Sequence, residues 1–108
     1  MKFTQEIKDK WIAGMKSGKF IQGQGSLVVN PDCARNRSGK TEHCCLAVLG
    51  EVIDFLSNDD SSKPSPYYFL DRTIGMEKCD EIIIKNDSTP SDKQDYSNVI
   101  PLIESLEV

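Results

Sequence analysis

Apolar positions along the chain fall into blocks separated by polar, Gly- and Pro-rich stretches. In the first block Ile7, Trp11, Ile12 and Met15 return at helical spacing, which predicts an amphipathic helix from about Phe3 to Ser17. Thr4 stands where an N-cap is favoured, Lys16 lies in the last turn and Gly18 follows it, as helix ends prefer. Next, Gly23 and Gly25 precede Leu27-Val28-Val29, so a turn leading into a short strand near Gly25–Val29 is expected. The stretch from Asn30 to Lys40, NPDCARNRSGK, reads as a turn-rich loop.

The segment TEHCCLAVLGEVIDFL, from Thr41 to Leu56, is the most apolar of the chain. Thr41 is a candidate cap and Glu42 would sit in the first turn, where negative charge is favoured. Cys44 to Leu49 is apolar without interruption, and Val52, Ile53, Phe55 and Leu56 extend the run. A helix apolar around most of its girth must be enclosed by other elements, so Cys44–Leu56 is expected to be a buried central helix. A strand over His43–Leu49 is the alternative for its first half. Beyond it, residues 57–66 and 87–95 read as polar connectors. Tyr67-Tyr68-Phe69-Leu70 suits a short strand or an extended piece packed on the core, and Asn98 to Leu106 suits a short helix capped by Asn98. The Glu77–Lys85 stretch is ambiguous, because three consecutive isoleucines favour strand while its charged first half suits a helical first turn.

Composition narrows the picture. A chain of 108 residues has the length of one domain, and its 38% hydrophobic content implies a modest core. A net charge of −4 argues against non-specific binding to nucleic acid or an anionic membrane, for which a basic face is needed. No apolar run reaches signal-peptide or membrane-span length, so the expected location is the cytosol. The four cysteines, Cys33, Cys44, Cys45 and Cys79, are then expected as reduced thiols.

Taken in order, several pieces resemble a family of small uncharacterised proteins of tailed bacteriophages. They are Trp11 with Ser17-Gly18, then Gln22-Gly23-x-Gly25, then Cys44-Cys45-Leu46-x-Val48-Leu49, then Asn86-Asp87 ahead of the terminal helix. The likeness runs along nearly the whole chain, with Ala47 in place of the family's glycine, Ile84-Lys85 in place of its leucine and Pro101 inside the last helix. The resemblance implies a phage origin and a helical Glu77–Lys85. It implies no particular activity.

Candidate chemistry is sparse. Cys44 and Cys45 in the first turn of a helix could have activated thiols, but the single histidine, His43, would project about 100° away and serve neither as a base. Buried structural cysteine is the simpler reading. Cys33, His43, Cys44, Cys45 and Cys79 do not have the paired spacing of a zinc site, so no metal and no cofactor is implied. Gln22-Gly23-Gln24-Gly25 could present amides to an anion, with Arg35, Arg37 or Lys40 and the helix N-terminus at Thr41–Cys44 nearby, although it lacks the P-loop ending. Asn86 and Asp87 are the polar pair to which the resemblance draws attention.

The sequence therefore predicts a single small α+β domain, mainly helical, with a buried central helix and a short β-hairpin or sheet. The expected function is non-covalent binding by a phage-encoded accessory protein, as a host-takeover or anti-defence inhibitor, with a host protein or a small nucleotide-like anionic ligand as its partner. The candidate ligand-binding residues are Gln22, Gly23, Gln24, Gly25, Arg35, Arg37, Asn86 and Asp87. A homo-oligomer stays open. The rival classes are a cysteine-dependent enzyme using Cys44 or Cys45 and a virion-associated structural protein.

Overall fold

A computed structural model describes residues 2–108. Its elements are α1 (Gln5–Lys16), β1 (Val28–Val29), β2 (Glu42–His43), α2 (Cys45–Val52), α3 (Pro66–Thr73), α4 (Met76–Asp87) and α5 (Ile100–Glu104). Five helices surround a two-stranded antiparallel sheet in which Val28 pairs with His43 and Val29 with Glu42, making a small α+β domain.

The first helix forms as its sequence dictates. Thr4 Oγ1 accepts the Ile7 amide at 3.2 Å, and Ile7, Trp11 and Met15 turn inward. Ile12 is only half-buried, and Gly14 takes the place beside the core. There α1 meets α2 so closely that a Cβ on Gly14 would lie 2.9 Å from Val52 Cγ1. Trp11 crosses the same interface and donates its indole N–H to the Cys45 carbonyl at 2.8 Å. Lys8 is also drawn in, its ammonium donating to the carbonyls of Glu104 and Leu106 at 2.7 Å each. The Glu104 carbonyl ends α5 and the Leu106 carbonyl lies just beyond it, so a cation there suits both charge and hydrogen bonding.

The central helix is as buried as the apolar run predicts, with Cys45 to Gly50 all out of solvent. It is shorter at both ends than the expected Cys44–Leu56. At the front, Thr41 does not cap it and Glu42 is not in its first turn. His43 donates to the Ile21 carbonyl at 2.8 Å and Gln22 forms a parallel bridge with His43, so Glu42-His43 is held extended between two segments and the helix begins after Cys44. At the back, Ile53 turns to extended angles. The Asn58 side chain donates to the Ala47 carbonyl at 2.9 Å and packs where Gly50 has no Cβ, closing the last turn from a distant position. Ile53 and Leu56 stay buried in the turn that follows.

Tyr67-Tyr68-Phe69-Leu70 forms helix rather than strand. Ser65 Oγ accepts the Tyr68 amide at 3.1 Å and Pro66 occupies the first turn, a start signal that outweighs the aromatic residues' preference for strands. Phe69 and Leu70 are buried while Tyr67 and Tyr68 stay exposed. Glu77–Lys85 lies within a helix, as the resemblance implied. Successive 100° steps carry Ile82 into the core, leave Ile83 half-buried and place Ile84 in solvent. At the end of the chain, Val99 rather than Asn98 is the cap position of α5.

Glu42 is the least expected member of the interior. Fully buried, it accepts from the backbone amides of Arg37 and Ser38 (3.0 and 2.8 Å) and from Gln94 Nε2 (2.9 Å), all through Oε2. Burial alone would raise its pKa, but the hydrogen bonds from Gln94, Ser38 and Arg37 outweigh it and hold the carboxyl below its ordinary 4.5. A depressed carboxylate adds stability above the unfolded-state pKa and loses it as pH falls through the folded value. Glu42→Gln should therefore lower stability at pH 7 by about 1–3 kcal/mol, with the deficit shrinking at pH values below the ordinary carboxylate range. Urea midpoints of both proteins at neutral and acid pH check this; a deficit independent of pH would show that the carboxylate charge contributes nothing.

Candidate functional site

Asn86, in the last turn of α4, joins two other segments through one carboxamide. Its Oδ1 accepts the Cys45 amide at 3.1 Å and Gln22 Nε2 at 2.9 Å, while its Nδ2 donates to the Gly23 carbonyl at 2.9 Å. Two donors on one side and a carbonyl on the other fix the orientation of the amide. Gln22 continues the network: its Nε2 also donates to Asn98 Oδ1 at 3.0 Å, and its Oε1 accepts the Tyr96 amide at 2.7 Å. Tyr96 in turn donates its hydroxyl to the His43 carbonyl at 2.7 Å and adopts φ +66°, the only non-glycine residue described with a positive φ. Gln94 closes the loop by donating Nε2 to the Gln22 carbonyl at 2.8 Å.

The glycine turn sits against this network. The Gly23 amide donates to the His43 carbonyl at 3.1 Å, and the Gly25 amide donates to Asp87 Oδ1 at 3.1 Å. Gly25 has φ +83°, and a side chain there would strike the Arg35 guanidinium group, 2.7 Å from an added Cβ. The anion held by this turn is therefore a carboxylate of the chain itself. The arginines are likewise directed to internal oxygens: Arg35 donates to Ser26 Oγ and Arg37 to the Thr89 carbonyl, each at 2.6 Å. Of the residues singled out from the sequence, Gln22, Gly23, Gly25, Asn86 and Asp87 come together, with Arg35 lying over Gly25. Gln24 is half-buried outside the network, and Arg37 lies at Glu42 and Thr89. Polar partners at Tyr96, Gln94 and Asn98 are legible only once the chain is folded, since none has a distinctive local pattern.

Beside Asn86 a cavity of about 320 Å³ opens between the Gly25–Leu27 segment, the start of α2, α3 and α4. Its wall is made by Leu27, Leu46, Ile83, the ring of Tyr67 and the thiol of Cys44, and Asp87 is the one charged residue lining it. Burial pushes the Cys44 thiol up to about 11; the amides of Ala47 and Leu46 pull the other way, and the Asp87 charge adds to the rise. Cys45 is raised well above the ordinary value by burial and by the charges of Cys44 and Asp87, and Cys79 is raised to about 11 by burial. All four cysteines are free.

His43 serves elsewhere. Its Nε2 lies 3.7 Å from Glu51 Oε1, its ring meets Phe20 edge-on, and it lines a different surface with Glu51, Asn58 and Asp59. Burial lowers its pKa, against an opposing pull from Glu51. Among the described residues no group of three or more His, Cys, Asp and Glu is placed to hold a metal ion.

No protein-family model, no curated protein and no solved structure matches this chain.

Asn86→Leu tests how far the site's frame depends on one side chain. Similar in size but without hydrogen-bonding groups, leucine would strand the Cys45 amide and the Gly23 carbonyl and remove one of the two acceptors of Gln22 Nε2. Each buried orphan costs about 1–3 kcal/mol, so a loss of about 3 kcal/mol or more is expected in a urea titration. A loss below about 1 kcal/mol would show that these groups find other partners.

Proposed function

We propose that this chain is a small phage-encoded accessory protein that acts in the infected cell by non-covalent binding, with the cavity beside Asn86 as its binding site. One observation carries the binding reading. A cavity of about 320 Å³, walled by aliphatic and aromatic side chains with a few polar groups, has the form of a small-molecule site, for which about 300–1,000 Å³ is usual. Polar residues hold that shape from behind, so the site is formed in advance of any ligand.

The chemistry at the cavity favours binding over catalysis. Cys44 is a nucleophile-bearing side chain in the apolar wall of the cavity. With its pKa raised from an ordinary 9.0 to about 11, it carries roughly a hundredth of the thiolate of an ordinary cysteine at neutral pH. The imidazole, the usual base for a catalytic thiol, faces Glu51 and Phe20 instead. The phage origin and the role as a host-takeover or anti-defence inhibitor rest on the resemblance, and on the inference that a small protein without catalytic machinery acts by occupying a partner or sequestering a ligand.

Alkylation separates binding from thiol catalysis. In native protein at neutral pH, iodoacetamide should modify the partly exposed Cys33 first and leave Cys44, Cys45 and Cys79 protected until the chain unfolds. Mass spectrometry of the native protein from host lysate should show a retained small molecule that is lost in Ile83→Trp, which fills the cavity. Native labelling of Cys44 faster than Cys33 would favour the enzyme, and copurification with virions rather than with cell lysate would favour the structural class.

A further inference from the structure

The charge and exposure of the cavity lining say which ligands suit it. The wall is graded: Cys44, Cys45, Leu46 and Asn86 are buried, whereas Gly25, Tyr67 and Asp87 are exposed. A ligand therefore meets apolar surface at the floor and one negative charge at the rim. Asp87 is held in place through Oδ1, which accepts from the Gly25 amide at 3.1 Å and from Asn86 Nδ2 at 3.3 Å, and Oδ2 makes no hydrogen bond to the described residues. A second carboxylate, Asp80, lies near the Tyr67 hydroxyl.

Positive charge does not offset this. No Lys or Arg lines the cavity. Arg35, packed over Gly25, directs its guanidinium to Ser26 Oγ and makes no ion pair with Asp87. An anionic or nucleotide-like ligand would thus meet a carboxylate at the rim with no cation lining the cavity to offset the repulsion.

Building on the binding reading, we infer that the cavity takes a small amphipathic cation, an aromatic or branched aliphatic amine, with the hydrocarbon body against Leu27, Leu46 and Ile83 and the ammonium donating to Asp87 at the rim. The cavity of about 320 Å³ has room for one fused-ring system. The ring of Tyr67 at the same rim offers a face to a cation as well as an edge to the ligand body.

A matched ligand series tests the charge separately from the cavity. Tryptamine, its neutral counterpart 3-ethylindole and the anion indole-3-propionate share one ring system and differ at the tail. Calorimetry or chemical-shift titration of the full chain should give tryptamine an affinity about tenfold above 3-ethylindole, with the anion weakest of the three. Asp87→Asn keeps an acceptor for the Gly25 amide and removes the charge, so the preference for tryptamine should vanish while 3-ethylindole binds as before. Ile83→Trp should abolish binding of all three. Equal binding of the cation and the neutral compound, or tighter binding of the anion, overturns the charge assignment and leaves the cavity as a binding site. Failure of every member of the series to bind at about 1 mM overturns both.

Discussion

The protein depends on satisfying polar groups that its own turns carry into the interior. Asn86 is where this is concentrated. The start of α2 and the Gly23 turn present groups that would otherwise be buried without partners, and one carboxamide from α4 meets them and accepts from Gln22 as well. Gln22 performs the complementary task for the C-terminal segment, taking the Tyr96 amide and reaching Asn98. Because an unpaired polar group inside costs more than a made hydrogen bond contributes, such a network specifies one arrangement of these segments more sharply than apolar packing can.

Around that polar frame the apolar packing is ordinary. α2 is enclosed by α1, α3 and α4, Trp11, Tyr96 and Phe69 are the largest fully buried side chains, and Lys8 ties α1 to the end of α5. Enclosure has a chemical consequence. The Cys44-Cys45 pair, which as a bare motif at a helix start suggests an activated thiol, is instead held protonated by burial and by the neighbouring Asp87 charge. Two amides at the helix start work in the opposite direction on Cys44 and are outweighed.

The cavity follows from the same division of labour. Its rear wall is fixed by hydrogen bonds through Asn86, so Leu27, Leu46 and Ile83 need not close on one another to keep the segments together. Apolar side chains free to collapse would fill a space of this size. Here the backbone that carries them is anchored elsewhere, which keeps an apolar surface open next to a single charge.

How much of this is legible in the sequence varies with the range of the interaction involved. Local signals settle α1 through Thr4 and its apolar stripe, the enclosure of α2 through its unbroken apolar run, and the core role of Trp11. The start of α3 was also written locally, in Ser65-Pro66, although the aromatic residues after it point towards a strand. Only the folded chain decides the rest. Glu42 leaves the helix because Ile21, Gln22 and β1 hold its segment extended; α2 stops early because Asn58 reaches back to Ala47. The Gly23-x-Gly25 turn has free amides in sequence, yet its Gly25 amide faces Asp87, which is distant along the chain. Helical spacing and caps act between residues a turn apart and can be read in order. Hydrogen-bond partners of buried groups and the sign of charge at a cavity rim are set between residues that only the tertiary structure makes neighbours.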